Sequence, residues 1–223
     1  MKAGESMGPR VWVLASGPAP DLDVTLARAP SPDIVIAADG GTVLAERLGL
    51  TPDLIIGDVD SSPPDLVARL EQSGVEVRRY EHDTKWETDT ELALFAALTF
   101  QPGTIYLIGA IGGRLDHSLA NVLLLTNPRL AETDVRLLDG RHELFLAKPG
   151  QWNNIPGDKG STVSLLPIGT DATGVQTRGL HWPLDNETLP PGQGRGVSNL
   201  IDDPVSASVL YEAGQLLVVI VHT

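Results

Sequence analysis

From residue 11 to about residue 138, short apolar runs alternate with stretches of helical spacing. Beyond that point the helical spacing stops and only short strand-like runs remain. Strand–helix–strand alternation is what a parallel sheet demands, because each parallel neighbour needs a crossover long enough to hold a helix. Runs at 11–15, 34–38, 54–57, 75–80 and 104–108 read as strands, and 42–48, 64–73 and 88–98 as helices, with a weaker helix at 21–29. The fold class expected is an α/β N-terminal domain, a mostly parallel sheet flanked by helices, over residues 10–138. A smaller all-β, sandwich-like C-terminal domain follows over 139–223.

In open α/β sheets ligands collect beyond the carboxyl ends of the strands, so the residues there carry the functional weight. Asp39-Gly40-Gly41 closes the second strand, and its glycines permit either a close approach to a ligand or a plain tight turn. The third strand runs straight into acid as LIIGDVDS. Asp58 and Asp60, two apart in an extended segment, would share a face and converge on a hard cation, with Val59 pointing into the fold. The competing reading has Asp60 or Ser61 capping the helix that starts near Pro64.

Thr88 and Glu91 fit a capping box, which opens a helix and puts Asp89 at its positive end with or without a ligand. Lys85 lies just upstream, either solvated or near the same rim. The strand at 104–108 empties into GAIGGRLDH, where Gly109, Gly112 and Gly113 can present bare backbone N–H groups to phosphate at a helix start. Arg114 adds paired donors for phosphate oxygens, and Asp116 a metal ligand or proton acceptor. His117 is a capping, packing or ligand-facing residue. Leu115, Leu119, Val122, Leu123 and Thr126 recur at helical spacing, so that face of the helix is expected to be buried.

In the C-terminal part, 183–196 (PLDNETLPPGQGRG) is too rich in breakers for regular structure, while the alternation at 205–209 reads as a strand. Trp182 before that loop and Ser198-Asn199 after it are candidate ligand contacts, although a tryptophan here also suits a β core. The net charge of −13, 16 basic against 29 acidic residues, argues against a nucleic-acid partner. No cysteine is present, which suits a reducing compartment. Residues 1–9 read as a loose tail without an apolar leader, and the densest apolar run, 216–221, is too short to span a bilayer. A cytoplasmic protein with no membrane association is expected.

Taken together, Asp39-Gly40-Gly41, PDLIIGDVDS, KWETDTELAL and GAIGGRLDH resemble, in order and spacing, the signature of the thiamine pyrophosphokinase family. GLHWPL and GVSN resemble that family's β-rich thiamine-binding domain. The resemblance implies transfer of pyrophosphate from ATP to the thiamine hydroxyl, releasing AMP, with Mg2+, in a homodimer whose active sites lie at the subunit interface. It implies Asp58, Asp60, Asp89 and Asp116 as metal ligands, with Asp58, Asp60, Asp116 and Arg114 catalytic. Asp39, Gly40, Lys85, Thr88, Gly112, Gly113 and His117 would bind ATP, and Trp182, Ser198 and Asn199 thiamine. Trp86 stands where the family pattern has an acidic residue, which implies a lost ligand unless Asp83 or Glu87 replaces it. The alternatives are therefore a pterin-like hydroxymethyl acceptor, or a thiamine- or nucleotide-binding protein with impaired catalysis.

Overall fold

The computed structural model describes residues 8–19, 21–80 and 86–223; the expected tail up to residue 7, Asp83 and Lys85 lie outside the described residues. The chain divides into two compact units, Met1–Gly140 and Arg141–Thr223.

The first unit is a parallel sheet in the order β6-β5-β1-β2-β3-β4. Its strands are β1 (Arg10–Leu14), β2 (Ile34–Ala38), β3 (Leu54–Gly57), β4 (Glu76–Arg79), β5 (Thr104–Ile108) and β6 (Asp134–Asp139). Between them run α1 (Leu22–Leu26), α2 (Gly41–Arg47), α3 (Pro64–Gln72), α4 (Asp89–Leu98) and α5 (Leu115–Leu124). The apolar runs are strands because both faces are covered. Val11, Val13, Leu14, Ile36, Ile55, Ile105 and Leu107 are all 0% exposed, and each such side chain stabilises the fold by roughly 1.5–3 kcal/mol. α4 packs on β1, β2 and β3 through Leu94 and through Ala93, Ala96 and Ala97, whose small side chains let the helix lie close to the sheet. Edge strand β4 carries charge instead. Arg78 pairs with Glu76 and Arg79 with Glu71, which discourages pairing with another chain.

The order of strands reverses between β1 and β5: from β1 the chain builds outward to β4, then returns to add β5 and β6 on the other side. That switch point leaves a crevice beyond the carboxyl ends of β1 and β5.

The second unit holds two antiparallel arrays. One is β12 (Asn199–Leu200), β9 (Thr162–Pro167), β14 (Leu216–Val221) and β7 (His142–Leu146), in that order. The other is β11 (Glu187–Leu189), β10 (Ala172–Arg178), β13 (Ser208–Leu210) and β8 (Asn153–Asn154). Phe145, Val163, Leu165, Val218 and Ile220 from the first array and Val175, Leu189 and Val209 from the second form one buried core, as the inner faces of a sandwich must. Buried Tyr211 donates its hydroxyl to Ala147 O at 2.8 Å, and burial pushes its phenol up.

Three expectations need correction. The breaker-rich stretch 183–196 contains strand β11, which pairs with β10. The alternation at 205–209 is a strand only from Ser208, because the Asp203 carboxylate accepts from Val205 N at 3.1 Å and Ser206 Oγ at 2.5 Å and turns the chain, leaving Val205 92% exposed. Most informative is α5. Leu115, Leu119 and Leu123 are 73%, 56% and 51% exposed, and the buried face is formed by Ser118 and Asn121. The polar pair is inside because it ties the preceding glycine loop to the helix.

Candidate active site

At the switch point a cleft of about 550 Å³ opens, and every residue lining it belongs to the first unit. The loop after β1 supplies Ala15 to Pro18, and the loop after β5 supplies Gly109 to Arg114. The two loops are laced together: Ala15 N–H donates to Ile108 O at 2.8 Å and Gly17 N–H to Gly109 O at 2.7 Å. A Cβ at Gly17 would strike the Gly109 carbonyl, so the approach needs glycine.

The acidic rim forms on the other side. Asp39 follows β2 and is 7% exposed, with a left-handed φ of 45°. Its Oδ1 accepts from Ser61 N at 3.1 Å, and its carbonyl accepts from Ser62 Oγ at 2.8 Å. The turn after β3 is thereby held against the turn after β2. Asp58 and Asp60 do not sit on an extended strand, because β3 ends at Gly57 and Val59 has φ 58°, a strained setting for a β-branched residue. The fold nonetheless gathers one carboxylate oxygen each from Asp39, Asp58 and Asp60 to within 4.8 Å of one another. The capping alternative fails: α3 starts after Pro63 with no side-chain cap. Asp60 instead accepts from Ser61 Oγ at 3.0 Å.

Thr88 does cap α4, its hydroxyl accepting from Glu91 N at 3.2 Å. Asp89 therefore opens the helix and lines the cleft. Its carboxylate lies over Gly57, where a Cβ would come within 2.7 Å of Asp89 Oδ1. Glu87 also lines the cleft, whereas Trp86 is 99% exposed and takes no place in the acidic group.

The glycine loop is less open to phosphate than its sequence suggests. Gly112 N–H donates to Ser118 Oγ at 3.0 Å, and Asn121 Nδ2 donates to Ala110 O at 2.8 Å. Two buried polar residues of α5 thus fix the loop's shape, which is why the helix turns its leucines outward. Arg114, Gly113 and His117 line the cleft. Asp116 is separate from the acidic trio and forms a two-pronged pair with Arg114 at 2.6 and 3.2 Å. That guanidinium holds the exposed Asp116 carboxyl down at about 2. Gly40 precedes α2, with a Cβ there meeting Ser16 and Ser61.

In the second unit, Trp182 is 50% exposed and so is no core plug. Asn199 is buried, and its amide is largely consumed: Oδ1 accepts from Trp182 N at 3.0 Å and Leu200 N at 2.9 Å, while Nδ2 donates to Trp182 O at 2.6 Å. Ser198 is exposed in a left-handed conformation, φ 60°.

Sequence reasoning placed Asp39 on the same rim as Asp58 and Asp60 but gave it to the nucleotide and not to the metal set; their close contact depends on two turns being tied by Ser61 and Ser62. It also passed over Ser16, Gly17 and Asn121, for which only their place after strands or on α5 could have served as a signal.

Comparison with known proteins matches this architecture on both units. Residues 29–137 match the thiamin pyrophosphokinase catalytic domain and residues 149–216 the thiamin pyrophosphokinase vitamin B1 binding domain. Thiamine pyrophosphokinase of Bacillus subtilis (strain 168) is 30% identical over 74% of this chain and 76% of its own length. The chain belongs to the thiamine pyrophosphokinase family. Thiamine pyrophosphokinase 1 of Oryza sativa subsp. japonica is 28% identical over 77% of this chain and 66% of its own length. The crystal structure of the Bacillus subtilis thiamine pyrophosphokinase superposes with a TM-score of 0.82 at 28% identity, covering 96% of this chain and 99% of that one. Among the described residues, no helix is long and apolar enough to cross a membrane.

Proposed function

We propose that this chain is an enzyme that moves a pyrophosphoryl group from ATP to the hydroxyl of thiamine, giving thiamine diphosphate and AMP. The single observation that carries the chemistry is the gathering of Asp39, Asp58 and Asp60 at the switch-point crevice. Three carboxylate oxygens within 4.8 Å repel one another unless a cation sits between them. An all-oxygen donor set suits a hard divalent ion such as Mg2+. Bound there, Mg2+ would neutralise polyphosphate charge as it builds toward the transition state.

The chain's own groups do the rest by positioning, since phosphoryl transfer needs alignment and charge neutralisation more than covalent chemistry. Asp39, Asp58 and Asp60 hold the cation, and Asp89, seated over Gly57 at the start of α4, faces the same cleft. Arg114 offers its guanidinium to phosphate oxygens, with Lys85 upstream of Trp86 as a second cation. The glycine loop shapes the crevice for the nucleotide beside Gly40, Thr88 and His117. The thiamine hydroxyl oxygen bonds to the β-phosphorus, the bond from that phosphorus to the AMP oxygen breaks, and the hydroxyl proton passes to a carboxylate, Asp89 or Asp116.

Trp182 supplies a flat, half-exposed aromatic face for the cationic heterocycle of thiamine, a contact of roughly 0.5–2 kcal/mol. Asn199 serves by fixing Trp182, and Ser198 by its exposed hydroxyl. The exposed leucines of α5 support a homodimer with active sites at the subunit interface, since apolar stripes on monomer surfaces mark partner contacts. The compartment is proposed to be the cytoplasm, with no nucleic-acid partner. Incubation with ATP, Mg2+ and thiamine should yield AMP and thiamine diphosphate in equal amounts. ADP as the product, or no turnover, would refute the reading.

A further inference from the structure

We propose that His181 and Asp202 are positioning residues that hold the Trp182 indole in one orientation, ready for the aromatic face of the acceptor. The proposal rests on the reading of Trp182 as the thiamine-stacking residue.

The local backbone explains how these side chains meet. Residues 179–182 run antiparallel to residues 199–202: Asp202 N–H donates to Gly179 O at 2.9 Å, His181 N–H donates to Leu200 O at 2.9 Å, and Leu180 bridges Ile201. Leu180 and Ile201 are 7% and 0% exposed. Because side chains alternate along an extended pair, their neighbours His181 and Asp202 are turned outward together. There His181 Nδ1 and Asp202 Oδ2 are 2.9 Å apart. The imidazole in turn meets the Trp182 ring edge-on, with centroids 4.5 Å apart and planes at 88°. At its other end Trp182 is clamped through its backbone by Asn199.

The chain of support therefore runs Asp202 to His181 to Trp182. A carboxylate on one ring nitrogen fixes the orientation of an imidazole, as it does for histidines that must present a defined face. Edge-to-face contact is a favoured aromatic geometry and restricts the indole's two side-chain torsions. Strand stability gives no account of this arrangement, since the backbone ladder and Asn199 already secure the segment and a side-chain pair this exposed contributes little to folding. A pre-set indole, by contrast, lowers the ordering cost of binding a flat ligand.

The test is steady-state kinetics on W182A, H181A, D202A, H181F and D202N, with KM measured separately for thiamine and for ATP. H181A and D202A should each raise the KM for thiamine by roughly 3- to 10-fold, leaving kcat and the KM for ATP within about twofold of wild type. H181F, which keeps a ring edge against the indole, should recover most of the H181A loss, and D202N, which keeps the hydrogen bond, most of the D202A loss. The proposal is overturned if W182A raises the thiamine KM while H181A leaves it unchanged, or if H181A lowers kcat and weakens both substrates together with a drop in Tm. An unchanged thiamine KM in W182A would remove the stacking reading itself, and this proposal with it.

Discussion

The acidic rim of the first unit and the Trp182 platform of the second fix their side chains by opposite means. At the rim, Asp39, Asp58 and Asp60 come from two separate turns held by a few serine hydrogen bonds, with Asp39 and Val59 in left-handed backbone. Their like charges oppose the arrangement. At the platform, a two-stranded ladder, a buried asparagine and a histidine–carboxylate pair all favour the geometry observed. The rim is thus held against its own charge by hydrogen bonds between turns, whereas every contact at the platform favours its geometry.

Asp58→Asn should break the comparison hardest. Removing one of three crowded carboxylates should lower kcat by about 100-fold or more, since the charge stabilisation at stake is several kcal/mol. Millimolar Mg2+ should raise the Tm of wild type and not of the variant; thermal melts with and without the ion check this. At the platform, replacing Asn199 should lower stability, because it leaves Trp182 backbone groups unpaired.

Gly57→Ala comes next. The residue has φ 136°, and its added Cβ would come within 2.7 Å of the Asp89 carboxylate. A cost of roughly 1–3 kcal/mol is expected from backbone strain alone. Urea unfolding should show it, together with a loss of activity as Asp89 is displaced. A variant with wild-type stability and turnover would mean that the rim is more yielding than described.

Leu119→Glu asks whether either region depends on a second copy of the chain. Light scattering should show wild type as a dimer and the variant as a monomer, and the Tm, which depends on protein concentration in wild type, should no longer do so in the variant. The specific activity should fall about tenfold or more if positioning across the interface is lost.

The smallest effect on stability lies at the Arg114–Asp116 pair, apart from the acidic trio, where both groups are exposed. Asp116 should titrate near 2 by carboxyl NMR, and Arg114→Ala should return it to the usual carboxylate range. Its folded-state value lies below the ordinary one, so the pair's contribution is present above that ordinary value and is lost as pH falls through about 2. The stability difference between wild type and Arg114→Ala should therefore shrink from pH 5 toward pH 2, and it should be small throughout because both groups are exposed.

Strands and helices of the first unit were legible because burial on both faces leaves unbroken apolar runs, as at Ile34–Ala38 and Leu54–Gly57. The Thr88 cap was legible because its signal is local. Leu115, Leu119 and Leu123 misled, since helical spacing identifies an apolar face without saying what covers it, and Ser118 and Asn121 took the inner side to tether a loop. That Asp39 shares a rim with Asp58 and Asp60 was legible from its place after a strand; that their oxygens come within 4.8 Å was not, because this depends on hydrogen bonds between turns far apart in sequence.

Trp86 has one more consequence. It is 99% exposed while Trp12 is 4% exposed, Trp182 half so, and Trp152 is covered by Arg178 at 3.8 Å. The chain thus carries its own optical contrast, with the red edge of its emission weighted toward the residue next to cleft-lining Glu87. Iodide or acrylamide should quench that fraction first, so the proposed nucleotide binding at the rim can be sought by fluorescence in the native sequence without any attached dye.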